Sequence, residues 1–158
     1  MKTKEAILVM CEVEERNRKR EQEWREQQKS EKPLLSMLLV DVYRNKIEVV
    51  RIKDDLDEFY RLLRCSTIDI VQRNIGGRTY EIICDDNGLL KSDYRPSAFD
   101  KQGNVQFVGK LLVCRYGGEG ELAGLDAHDV HNLMQQCRYL YNVVNGSRRP
   151  ILFGVEYC

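Results

Sequence analysis

Paired cysteines, a third histidine, an excess of either charge and a long apolar run are all missing from this 158-residue chain. Cys11, Cys65, Cys84, Cys114, Cys137 and Cys158 are scattered with no CxxC pair. Neither a zinc site nor a disulfide framework is implied, and reduced thiols acting as small hydrophobes suit stretches such as YEIIC and LLVCRY. His128 and His131 lie three apart on a predicted helix, and a solvated helix face accounts for both of them and for Asp129 between them. No metal and no cofactor is expected. The 25 basic and 25 acidic side chains cancel, so no net field draws the protein to nucleic acid or to an anionic membrane. AILVMC, Ala6 to Cys11, is too short and too abruptly followed by charge for a signal peptide. No apolar run approaches the ~18 residues that would span a bilayer. A cytoplasmic protein with no membrane partner is expected.

Catalytic patterns are missing too. IGGR and GGEG are glycine-rich but lack the Lys-Ser/Thr of a P-loop and the strand–GxGxxG–helix setting of a dinucleotide site. DDNG, Asp85 to Gly88, resembles the start of a calcium loop, but its glycine comes two residues early, and Asp, Asn and Gly are what a tight turn requires. No Ser/His/Asp or Cys/His constellation is visible, and no enzyme is expected.

What is present divides the chain into residues 1–32, a charged helix; 33–146, an α+β body; and 147–158, a tail or edge strand. EVEERNRKREQEWREQQKSEK, Glu12 to Lys32, is helical by propensity and ends before Pro33. Glu12–Arg16, Glu14–Arg18, Glu15–Lys19 and Glu21–Arg25 are acid-first i,i+4 pairs, and Ala6, Ile7, Met10 and Val13 give the helix an apolar end. Trp24 is one large aromatic among these charges, a residue type enriched at interaction hot spots; packing back on the body is the competing role.

In the body, Ser36–Tyr43 and Lys46–Ile52 read as a hairpin. Asp55 and Glu58 form a predicted capping box for a helix burying Leu56, Phe59, Leu62 and Leu63. Thr67–Ile75 and the RTYEIIC return strand flank Gly76-Gly77, both suited to positive φ in a tight turn. In DDNG, Gly88 is expected in the left-handed region, with Leu89 and Leu90 resuming the core. Lys91–Asn104 reads as an irregular connection and Gln106–Tyr116 as one buried strand. Asp126 caps a predicted long helix from Ala127 to Val144, ended by Asn145-Gly146. The fold expected is α+β: a compact, mostly antiparallel sheet with two packed helices, plus the charged N-terminal helix.

The stretch DEFYRLLRCSTIDIVQRNIGGRTYEIICDDNGLLK, then PSAFDKQGNVQFVGKLLVC, then a Leu-Asp-opened helix, resembles the family called domain of unknown function 3846, over roughly Leu38 to Cys137. The resemblance implies an accessory protein of phages, plasmids and conjugative elements of Firmicutes, and it carries no catalytic residues to transfer. The leading expectation is a non-enzymatic protein that occupies a host or element macromolecule, as an anti-defence inhibitor would. A second is a small-ligand binder that sequesters a nucleotide messenger, with Arg73, Arg78 and Arg95 meeting phosphates across a homo-oligomer interface. A third is nucleic-acid association through the basic segments 16–20 and 148–149. Candidate binding residues are Trp24, Arg73, Arg78, Asp85, Asp86, Tyr94 and Arg95.

Overall fold

The computed structural model of the chain describes residues 12–25, 32–88 and 95–158. It divides into two units, Met1–Pro33 and Leu34–Cys158. In the first, residues 12–25 form helix α1, exposed along its whole described length. Of the four expected ion pairs, Glu12–Arg16 is the one that closes among the described residues, at 3.9 Å. Such exposed pairs contribute only ~0.3–0.5 kcal/mol, so long side chains need not hold them. Cys11 and the apolar end at Ala6, Ile7 and Met10 lie outside the described residues.

The second unit opens with the expected hairpin, β1 (Leu34–Asp41) and β2 (Lys46–Lys53), in register from Leu34↔Lys53 to Asp41↔Lys46. Its turn places Asn45 at φ 55, a left-handed conformation that asparagine tolerates. The buried Asp41 carboxylate accepts the backbone N–H groups of Tyr43 and Arg44, each at 3.1 Å.

Helix α2 (Leu56–Leu63) starts at Asp55, whose side chain accepts the N–H of Asp57 at 3.1 Å. In place of the capping box, the Asp55 N–H donates to the Lys53 carbonyl at 2.8 Å, and Glu58 pairs with Arg61 at 2.6 Å. Phe59 and Leu63 are buried, each worth ~1.5–3 kcal/mol, whereas Leu56 is exposed.

Strands β3 (Ile68–Ile75) and β4 (Arg78–Asp85) form the second expected hairpin, with Gly76 and Gly77 at φ +60 and +83. These are the two positive values that a type I′ turn demands. In the next turn, Asn87 N–H is taken by Asp85 at 2.9 Å. Gly88, however, is not left-handed: a Cβ there would come within 3.0 Å of the Val108 methyl, so its requirement is space. Leu89 and Leu90 lie outside the described residues.

The remaining elements depart further from the sequence reading. The expected irregular connection contains β5 (Pro96–Phe99). The expected single strand over Gln106–Tyr116 is two, β6 (Val105–Val108) and β7 (Leu111–Gly118), parted where Gly109 takes φ +77. After the short β8 (Glu121–Ala123), helix α3 (Ala127–Gln135) has a true capping box: Asp126 accepts the N–H of Asp129 at 2.8 Å and Asp129 that of Asp126 at 3.0 Å. It ends nine residues before the expected Val144. The rest of the supposed helix is β9 (Cys137–Tyr141) and a turn into β10 (Arg148–Phe153), followed by β11 (Val155–Glu156). Tyr-Leu-Tyr has β preference, and its pairing with β10, Tyr139 opposite Pro150, overrides continuation of the helix.

The large sheet runs β11-β3-β4-β7-β1-β2, with β8 on β7; the small one runs β6-β5-β10-β9. All pairings are antiparallel except β5 with β10. Residues 148–156, read as tail or edge strand, thus supply an interior strand of the small sheet before Gly154, at φ +76, passes the chain to the large sheet's edge.

The central strands are buried on both faces, which explains their continuous apolar runs. Leu38, Val40, Ile82, Leu111 and Val113 belong to one core with the small sheet's Ala98 and Leu152 and α3's Leu133. Met37, Leu39, Ile83, Leu112 and Cys114 belong to the other, with Phe59 and Leu63 of α2. Alternation along each strand sorts neighbours into opposite cores.

Candidate functional site

The five candidate residues described within the second unit, Arg73, Arg78, Asp85, Asp86 and Arg95, do not gather in one cleft. Trp24 lies on α1 with 60% of its surface exposed. Tyr94 lies outside the described residues. Arg73 reaches along β3, its guanidinium 4.3 Å from the Tyr157 ring centre and 5.4 Å from that of Phe107, and donates to the Gln72 carbonyl at 2.9 Å. Arg95 covers the Tyr43 ring at 5.2 Å and donates to the Val42 carbonyl at 3.3 Å. Asp85 borders two clefts, and Asp86 borders the smaller of these.

Arg78 belongs to a buried polar cluster centred on Asp129, which is 0% exposed. Arg78 donates to one carboxylate oxygen at 2.9 Å, Tyr80 Oη donates to the same oxygen at 3.3 Å, and Arg115 lies 3.5 Å from the other. Burial pushes the Asp129 carboxyl up, but the hydrogen bonds from the Asp126 N–H and Arg78, with the charge of Arg115, hold it below the ordinary carboxylate range. Asn132 Nδ2 adds bonds to Tyr80 Oη and to the Ile75 carbonyl, both at 3.0 Å. A Cβ on Gly76 would collide with the Asn132 amide. Gly76 therefore serves the docking of the β3–β4 hairpin under α3, Gly77 only the turn, and Asp129 is the bolt. His128 and His131 are exposed on α3, and no group of His, Cys, Asp and Glu among the described residues is arranged to hold a metal ion.

Three thiols are kept protonated by their surroundings. Burial pushes Cys84 and Cys114 up to about 12 and Cys137 up to about 11.

Two other features stand out. A cleft of about 340 Å³ collects cations from three turns: Arg44 after β1, Arg64 at the end of α2 and Lys110 before β7. Tyr43, Leu63 and Val108 also line it, and Asp85 is its one carboxylate among the described lining residues.

The second is the β9–β10 hairpin. Tyr139, Leu140 and Tyr141 are exposed, and Val143 and Val144 at the turn expose 90% and 92% of their surface. Strand β9 is also a sheet edge. Among the other edges, β6, β8 and β11 have only four, three and two residues, and β2 carries Lys46, Glu48, Arg51 and Lys53. Short length and charge blunt an edge against pairing; exposed tyrosines and valines do not. Arg138, Arg148 and Arg149 flank this surface, with Arg138 over Phe153 and Arg148 over Tyr141, and none is ion-paired to a carboxylate among the described residues. Reading 137–144 as helix hid this surface. The signal present in the sequence was YLYNVVNG, β-formers running into Asn-Gly.

A model of the family described as domain of unknown function (DUF3846) matches residues 35–138, and the chain belongs to that family. No curated protein and no solved structure matches it. The match takes in all three cation-bearing turns of the cleft and stops one residue into the exposed part of β9. No described helix is long and apolar enough to cross a membrane.

Proposed function

We propose that this family member is a non-enzymatic protein-binding module that presents β9 and its turn to an extended segment of a partner protein. The observation that carries the reading is the set of exposed apolar side chains Tyr139, Leu140 and Tyr141 on a sheet edge, continued by Val143 and Val144 in the turn that follows. An added strand would gain main-chain hydrogen bonds from the open edge, while the tyrosines and valines would supply the apolar contact. Arg138, Arg148 and Arg149 favour a segment carrying acidic as well as apolar side chains. The family resemblance supports placing this activity in a mobile genetic element, where occupying a host protein would inhibit a defence component. The free thiols Cys65, Cys84, Cys114, Cys137 and Cys158 suit a cytoplasmic setting. Tyrosines beside arginines would also suit single-stranded nucleic acid, but two solvent-facing valines offer no stacking surface to a base.

Affinity capture from a lysate of the encoding cells, with and without nuclease, tests the reading. The full chain is expected to retain a discrete protein that survives nuclease treatment and is lost with Val143→Asp/Val144→Asp. Retention unchanged by that double substitution, or abolished by nuclease, would count against it.

A further inference from the structure

We propose that the cleft between the β1–β2 turn, the end of α2 and the β6–β7 corner is a second, independent binding site, for a small organic phosphate monoester of nucleoside monophosphate size.

What sets this cleft apart is that it gathers three cations, while most other arginines of the body are held by a carboxylate or lie over a ring. Arg61 sits on Glu58, Arg78 and Arg115 sit on Asp129, and Arg73, Arg138 and Arg148 lie over aromatic rings. Arg64 has no carboxylate partner among the described residues, and Arg44 touches Asp41 only at the 4.0 Å limit while exposing most of its side chain. Both line the same cleft. Lys110 joins them, its side chain 11% exposed and its ammonium held 3.6 Å from Asp41 and 3.3 Å from the Leu62 carbonyl. Asp41 in turn fixes the Tyr43–Arg44 turn through two backbone N–H bonds. One buried carboxylate thus positions two of the three cations.

Arg64 also stands where a helix ordinarily ends in glycine. It takes φ 50, ψ 53, and its N–H closes on the Tyr60 carbonyl. A side chain in the left-handed region costs ~1 kcal/mol, and such strain is characteristic of functional positions. Glycine would fit the backbone better, so the guanidinium is kept for something other than the cap.

The rest of the lining sets the ligand class. Two forked guanidiniums suit the oxygens of a phosphate. Leu63 and Val108 form an apolar floor, and Tyr43 gives an aromatic wall beside Gly109, where an added Cβ would lie 3.9 Å from the tyrosine oxygen. Asp85 across the cleft favours a ligand bearing hydroxyl or amino groups and opposes a bare polyanion. A volume of about 340 Å³ is at the small end of organic ligand sites, which span roughly 300–1,000 Å³.

Isothermal titration of the full chain with adenosine 5′-monophosphate, uridine 5′-monophosphate, inorganic phosphate and adenosine tests this. At least one monophosphate is expected to bind at least about ten-fold more tightly than phosphate or the nucleoside alone, and to weaken with added salt. Arg64→Gly is expected to hold or raise the melting temperature while weakening that binding about ten-fold or more; Arg44→Gln should weaken it similarly. Absence of binding by both monophosphates at millimolar concentration, or binding unchanged in Arg64→Gly, overturns the proposal. Because Val143→Asp/Val144→Asp leaves the cleft intact, it should bind the monophosphate as the unsubstituted chain does, so this site and the hairpin surface stand or fall separately.

Discussion

The β3–β4 and β9–β10 hairpins are built alike and used differently. Each joins two antiparallel strands through a turn containing positive-φ glycine, Gly76-Gly77 in one and Gly146 in the other. The first is pinned: Asn132 caps its end, Arg78 is bonded to the buried Asp129, and Ile75, Tyr80 and Ile82 enter the core. The second is anchored at its base, through Cys137, Pro150, Ile151 and Leu152, and carries its tyrosines and turn valines into solvent. Apolar side chains in the first serve stability. In the second they are available for a partner.

Cutting away the anchor should have the largest effect. A chain ending at Gly146 loses β10 from between β5 and β9, and with it buried Ile151, Leu152 and Val155. Each buried aliphatic is worth ~2–5 kcal/mol, so the shortened chain is expected to be unfolded by circular dichroism at room temperature. A cooperative melting transition would show that the small sheet is dispensable.

Next in size is the bolt of the pinned hairpin. Asp129→Asn removes the carboxylate that pairs with Arg78, leaves Arg115 only its longer 3.9 Å contact with Asp126, and places an amide against donors. A loss of about 3 kcal/mol is expected, toward the low end for buried pairs because both arginines are about half exposed. Differential scanning calorimetry should register it as a fall of roughly 10 °C.

Acid sharpens the same point. The Asp129 carboxyl is held below its ordinary range, so its contribution is complete above the unfolded value of ~3.9 and is lost as pH falls through the lower folded value. The stability gap between the unsubstituted chain and Asp129→Asn should therefore stay constant near neutrality and narrow below about pH 4. A gap that widens in acid would contradict the assignment of Asp129 as ionised.

The smallest effect on stability belongs to the displayed hairpin. Val143→Asp/Val144→Asp alters side chains already in water and should change chemical denaturation by less than about 0.5 kcal/mol. A loss of several kcal/mol would place the turn in the fold's own packing.

The pinned hairpin was legible in the sequence because its signals are local: two adjacent glycines between alternating strands, with the return strand ending at Asp85. The displayed one was not. The Asp126–Asp129 capping box and the amphipathic AHDVHNLMQ announce a helix, and what stops it at Gln136 is pairing of Cys137–Tyr141 with residues 148–152, a contact between segments that neither segment announces. The division of Gln106–Tyr116 between two sheets was hidden for a similar reason, since Gly109 inside an apolar run does not say that the chain turns a corner. Of the site, single residues could be named but not their neighbours. Arg78 was identified, but its partner Asp129 lies 51 positions away. Arg44, Arg64 and Lys110 come from three separate turns, so only the fold brings them to one cleft.

The central claim, that β9 and its turn are a binding surface while the β3–β4 hairpin is not, is tested most directly by site-specific photo-crosslinking. A photoreactive side chain is placed at Val143 or at Thr79, both exposed and each on one hairpin, and the full chain is irradiated in a lysate of the encoding cells. The account predicts a discrete protein adduct from position 143 and none from position 79. Adducts from position 79 alone, or none from position 143 while an intact chain captures a partner, would contradict it.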